Sequence, residues 1–128
     1  MLFQLPPYSK QDLGLLESFL DQTSGIPERV FEFRHESWLV DSTFRLLDGK
    51  DVAFCVVDTE DFKTENKITG NFAYYRLRRE SYEGKGVDEW SANIQKATKG
   101  LDKAYVYLRH DETGKNAVLA QGMASKLR

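Results

Sequence analysis

Cysteine is almost missing from this chain: Cys55 is the only one in 128 residues, so no internal disulfide can form. Its place in the apolar run Val52-Ala53-Phe54-Cys55-Val56-Val57 predicts a buried thiol with a raised pKa, inert rather than nucleophilic. Long apolar runs are missing too, which leaves no candidate for a membrane-spanning helix, and Met1-Leu2-Phe3-Gln4 lacks the pattern of a secretory leader. A cytoplasmic, membrane-free protein is the expectation. An excess of either charge is also lacking: a formal net charge of −2 provides no overall attraction to nucleic acid or anionic membrane. Only local basic groups such as Arg76, Arg78 and Arg79 could hold a phosphate. Serine-nucleophile, Walker-type and dinucleotide-binding motifs are absent. The 2 histidines, His35 and His110, show no His-x-x-x-His spacing, so no metal ligands are assigned and the cofactor stays open.

What is present is an ordinary globular composition, 41% apolar and 30% charged, in a length that suits a single domain over residues 1–128. Strand-like and helix-like patterns alternate along it. Leu2-Phe3-Gln4-Leu5 reads as a short strand stopped by Pro6-Pro7, which cannot donate to a ladder. A helix follows, with Ser9 as its cap, Asp12 as the acid of a capping box, and Leu13, Leu16, Phe19 and Leu20 as its apolar stripe; Gly25-Ile26-Pro27 ends it. A second strand spans residues 30–34. A short helix capped by Asp41 or Ser42 carries Phe44, Leu46 and Leu47 and stops at Gly49. The strand from Val52 runs into Asp58, and residues 59–71, polar and aperiodic, form a long connection. The strand from Phe72 runs into Arg76, and the Gly84-Lys85-Gly86 segment after it matches no phosphate loop. A helix from about Val87 carries Trp90, Ile94, Ala97 and Leu101 and closes near Gly100. The strand at residues 103–108 then leads to a final helix with Ala117, Ala120, Met123, Ala124 and Leu127 facing inward.

This alternation predicts an α/β fold with about five parallel strands in βα units. Strand period then sorts the side chains. It groups Gln4, Glu32, Arg34, Asp58, Tyr74, Arg76, Tyr105, Tyr107 and Arg109 on a polar and aromatic face, against Phe3, Phe33, Ala73, Tyr75, Ala104, Val106 and Leu108 on a helix-packing face. A doubly wound sheet would be apolar on both faces, whereas the interior of a barrel can turn polar towards its carboxyl rim. A partial TIM-type barrel is therefore expected. Glu32 in such an interior needs at least one of Arg34, Arg76 or Arg109 within ion-pair reach.

Four segments carry a resemblance: Leu2-Phe3-Gln4-Leu5-Pro6-Pro7; Phe31-Glu32-Phe33-Arg34-His35-Glu36-Ser37-Trp38; Tyr75-Arg76-Leu77 followed by Tyr82 and Trp90; and Tyr105-Val106-Tyr107-Leu108 ahead of Asp111, Gly114 and Asn116-Ala117. Together they resemble the YecE-like family, catalogued as domain of unknown function 72. The resemblance implies a TIM-type barrel with no settled reaction. It matches the carboxy-terminal half of members that are roughly twice as long, and their Gly-Thr-Ser-Gly-Trp-like first strand has no counterpart here, while a TIM barrel takes about 250 residues. Glu36 stands where a proline is common, and Arg109-His110-Asp111 where many relatives have asparagines. A site implied by the family would thus be incomplete in a monomer of this chain.

Carried over by position, the candidate site comprises His35 and Asp58 as proton-moving, catalytic groups and Arg34, Trp38, Arg76, Tyr107, Arg109 and Asp111 as ligand-binding groups. Arginines clamp phosphate or carboxylate, Trp38 or Tyr107 stacks a sugar or base, and the ligand expected is a small anion, phosphate or sugar-phosphate. The alternatives are a catalytically silent or self-associating half-barrel, in which open strand edges pair in a homodimer. A metal-dependent phosphodiesterase-like barrel acting on nucleic acid rests on fold analogy alone.

Overall fold

The structure, a computed structural model, describes residues 1–82, 85–109 and 114–127. Five strands, β1 (Leu2–Gln4), β2 (Val30–Glu32), β3 (Ala53–Asp58), β4 (Ala73–Leu77) and β5 (Ala104–Leu108), alternate with four helices, α1 (Leu13–Gln22), α2 (Asp41–Gly49), α3 (Lys85–Ala97) and α4 (Lys115–Leu127). The strands pair in parallel in the order β1-β2-β3-β4-β5, each beside its neighbour in sequence. Right-handed crossovers that always step in one direction place every helix on the same face, which is the winding of a barrel wall. The packing agrees: Leu16 and Leu20 of α1, Phe44 and Leu47 of α2, Ile94 of α3 and Met123 of α4 share one core with Phe31, Phe54, Val56, Tyr75 and Leu77 of the strands. The α/β sheet expected from the alternation is the one observed, and it is open, since β1 and β5 each have one partner.

The opposite, inner face holds a smaller cluster of Val30, Ala53, Cys55, Val57 and Phe72, with Leu2, Phe62, Tyr74 and Tyr105 packed on it. Register stacks the inner side chains in levels. Cys55, Tyr74 and Tyr105 lie on one level and Val57, Arg76 and Tyr107 on the next towards the carboxyl ends. The face is bent into a trough: Arg76 of β4 reaches over β3 to Glu32 of β2, and near the amino ends Glu28 bonds Lys103 and the Tyr105 hydroxyl.

Several local expectations are corrected. Asp12, not Ser9, caps α1, accepting from Leu15 N–H at 3.0 Å, because the Pro6-Pro7 turn delays the helix to Leu13. Neither Asp41 nor Ser42 caps α2; the cap position is Val40, which has no side-chain bond to give. In α4 Met123 is buried and Ala120 and Leu127 are half-buried, as the stripe predicts, while Ala117 and Ala124 are exposed and Asn116 is buried instead. Asn116 donates from Nδ2 to the Arg109 carbonyl at 2.7 Å, which satisfies its buried amide at the start of the helix.

The long connection after β3 carries no helix. It folds back beside β3 through an Asp58–Lys63 bridge and a bond from Thr64 N–H to the Val57 carbonyl, and it passes between α2 and α3, with Lys67 over Phe44 and Asn66 bonded to the Asn93 carbonyl. It returns to the amino end of β3, where the Thr69 hydroxyl donates to the Val52 carbonyl at 2.7 Å. An extended segment thus covers the sheet where a helix would otherwise lie.

Candidate ligand site on the inner face

Glu32 is the centre of the inner face. It is the last residue of β2, fully buried, and its two carboxylate oxygens are divided between two arginines: Oε2 accepts from Arg34 Nη1 at 3.4 Å and Oε1 from Arg76 Nη1. Oε1 also accepts the Cys55 thiol at 3.6 Å. A carboxylate removed from water persists only with such compensation. Burial, and then the negative charge of Glu32, push the Cys55 thiol well up, so it stays protonated and serves as a donor. Its side chain is buried as the sequence implies.

Two guanidiniums against one carboxylate leave the cluster one positive charge in excess. Arg34 and Arg76 keep 27% and 17% of their side-chain surface exposed, and each guanidinium carries donors beyond the one bonded to Glu32. Beside them runs a panel of tyrosines. Tyr74 packs against Tyr105 at 6.0 Å and Tyr107 at 5.4 Å between ring centroids, and Tyr105 and Tyr107 lie nearly parallel. Burial, with the neighbouring Tyr107 next, raises the Tyr74 phenol, which keeps it neutral beside the arginines.

The structure separates the other residues that the sequence groups together. Asp58 is on the helix side: counting from the inward Cys55, the period of two turns it outward, level with Leu77 of the helix-facing core. There it is buried and saturated, receiving Arg79 Nε at 3.0 Å, the Tyr82 hydroxyl at 2.8 Å and Trp90 Nε1 at 3.2 Å. Its neighbours line a polar cleft of about 570 Å³ between the long connection and α3. With both oxygens engaged, Asp58 ties the end of β3 to α3. Burial pushes the Tyr82 phenol up, so its hydroxyl remains the donor. Arg79, Tyr82 and Trp90 are therefore the partners of Asp58 that strand-end reasoning leaves out; strict counting along β3 gives the side on which Asp58 lies, not these partners.

Trp38 is core rather than rim. It is 3% exposed, stacks on Phe33 at 4.6 Å and 17°, and donates its indole N–H to the Ser9 carbonyl at 2.8 Å. No ligand can stack on it without displacing Phe33. His35 opens the 3₁₀ turn Glu36–Trp38. Its Nδ1 accepts the Ser37 N–H at 3.1 Å and meets the Ser37 hydroxyl at 2.8 Å, while Gln11 N–H donates to that same hydroxyl oxygen. With Nδ1 accepting, the neutral ring carries its proton on Nε2. Arg109 stands apart from Glu32, with Nη1 4.0 Å from Glu80 and 46% of its side chain exposed. Asp111 and His110 lie outside the described residues. Among the described residues no group of three His, Cys, Asp or Glu side chains could hold a metal, and no helix is long and apolar enough to cross a membrane.

A family model described as protein of unknown function DUF72 matches residues 1–128. The chain belongs to this family. YecE-like is the same family, so the resemblance read from the strand motifs holds. Among solved structures, a DUF72 family protein from Thermotoga maritima MSB8 is similar with a TM-score of 0.82 and 22% identity, over 98% of this chain and 56% of that one. A DUF72 family protein from Enterococcus faecalis V583 is similar with a TM-score of 0.80 and 13% identity, over 98% of this chain and 59% of that one. No curated protein matches. At these identities the likeness concerns the fold: this DUF72 chain has the TIM-barrel-like architecture and spans less than two thirds of the length of those structures.

Proposed function

We propose that the inner face of this DUF72 chain binds a small anion, a phosphate or a sugar-phosphate, between Arg34 and Arg76 at the carboxyl ends of β2 and β4. The observation that carries the reading is the convergence of both guanidiniums on one fully buried carboxylate. Glu32 orients the two planar donor sets and neutralises one of them, so the remaining charge and N–H groups suit one anionic group. Position supports it as well, since ligands of parallel α/β barrels sit at the carboxyl ends of the strands. Binding is the activity proposed, since both carboxylate oxygens of Asp58 are already engaged within the fold.

Isothermal titration with inorganic phosphate and sugar phosphates, with and without divalent metal, tests the reading. Arg34→Lys and Arg76→Lys keep the charge but lose the paired geometry, and each is expected to weaken binding several-fold. Binding that is unchanged in both variants, or no binding to the unaltered chain, refutes the site. Lysine is the informative replacement because alanine would leave Glu32 buried with half its compensation, at a cost of about 3–5 kcal/mol to the fold.

A second reading, association of two copies through the sheet edges, is favoured by the open edges of β1 and β5 and by an apolar groove of about 490 Å³ beside β1, where Leu15 is 69% exposed and Phe19 37%. A nucleic-acid ligand has no observation of its own in its favour.

A further inference from the structure

We infer that the anion bound at Arg34 and Arg76 is carried on a ring, aromatic or sugar, with its acid group attached directly or through one or two bonds, and that Tyr107 is the surface on which a face of the ring stacks. The inference rests on the anion reading and narrows its ligand class. Register places the two functions side by side: Arg76 and Tyr107 are direct partners on β4 and β5 and share the inner face. The Arg76 side chain leans over β3 towards Glu32, and the Tyr107 ring packs on Tyr74 of β4, so a ligand that meets both the guanidinium and the ring spans up to roughly two strand spacings of about 4.8 Å.

Tyr107 is built as a platform. It is 50% exposed, one of the few large apolar-bodied side chains left open in the structure, and its hydroxyl meets no partner among the described residues. Tyr74 and Tyr105 behind it are only partly exposed and hold its orientation, Tyr74 at 5.4 Å and Tyr105 at 6.5 Å with an interplanar angle of 8°. Tyr105 is itself held by the bond from its hydroxyl to Glu28 at 3.0 Å. A tyrosine has two side-chain torsions, so a ring already braced by neighbours loses little freedom when a ligand stacks on it. An arginine beside a braced aromatic face binds the acid and the ring of one small molecule together; inorganic phosphate uses only the first.

The test compares inorganic phosphate, phenyl phosphate and glucose 6-phosphate by isothermal titration on the chain, Tyr107→Ala and Tyr107→Phe. A stacked ring is expected to tighten at least one ester over inorganic phosphate by roughly two- to twelve-fold. Tyr107→Ala should remove that gain and leave inorganic phosphate unchanged, while Tyr107→Phe should retain it for phenyl phosphate. The ester that gains distinguishes an aromatic from a sugar ring. Equal affinity of all three ligands for the unaltered chain, or a loss in Tyr107→Ala that is the same for inorganic phosphate, overturns the ring assignment and leaves the anion reading standing. Absence of phosphate binding altogether overturns both.

Discussion

Glu32 shows how a single residue organises this face. It is fully buried on an inner strand position, so its charge holds Arg34 and Arg76 in place and adds to the burial that keeps the Cys55 thiol protonated. A comparable constraint acts on the other face through Tyr75. This ring is buried among the helices, its hydroxyl donates to Asn66 at 2.7 Å, and burial pushes its pKa up to about 12 from the ordinary 10.0. The folded state therefore holds the Tyr75 proton more tightly than the unfolded chain. That contribution to stability is fully present below about pH 10 and is lost as pH rises towards 12. Urea unfolding at a series of alkaline pH values should show stability falling across this window, and Tyr75→Phe should flatten the slope there. A slope identical in the variant would show that another group is responsible.

At the scale of elements, the connection between β3 and β4 does what helices do in the other units, and it depends on one backbone position. Gly70 has φ of 70°, and a Cβ there would approach the Val52 carbonyl carbon to 3.1 Å. Its N–H is also bonded to Asp48 at 2.9 Å, so the strand start, α2 and the connection meet at this residue. Gly70→Ala is expected to cost roughly 1–3 kcal/mol in denaturant unfolding, from left-handed strain together with the clash. Gly100, with φ of 92° but open space around it, is the control: Gly100→Ala carries the strain without the clash and should cost less. Equal losses would show that contact with β3 contributes nothing. The start of α4 carries a related lesson, because the buried Asn116 is satisfied by the Arg109 carbonyl where the apolar pattern pointed to Ala117.

For the molecule as a whole, the open sheet is the feature behind the proposed self-association. β1 and β5 leave ladder groups unpaired on one side, the β1 edge adjoins the apolar groove, and the β5 edge bears Tyr107 and, on the following helix, the 67% exposed Val118. Paired edges remove this exposure. Light scattering over a range of concentrations is expected to give a mass above that of one chain, with two-fold association the simplest closed arrangement. A single-chain mass throughout would refute self-association and leave the anion site to be judged on its own titration.

How much was legible in the sequence follows the range of the forces involved. Local periodicity was enough for the five strands, the four helices, the parallel order, the buried Cys55 and the pairing of Glu32 with arginine, because strand alternation and βα connectivity are properties of neighbouring residues. The motifs around Phe31-Glu32-Phe33-Arg34 and Tyr75-Arg76-Leu77 were enough for the family. Which strand-end groups meet was not legible. Asp58 joins Arg79, Tyr82 and Trp90 on the helix side, Trp38 stacks into the core, and His35 turns to Ser37. Strands end at different heights, and one residue of extension reverses the face, so proximity to a strand end in sequence does not decide the side on which a group is presented. Only the tertiary register, set by packing across all five strands, brought Arg34 and Arg76 onto Glu32, on the face that also carries Tyr107, and left Asp58 and Trp38 on the helix side.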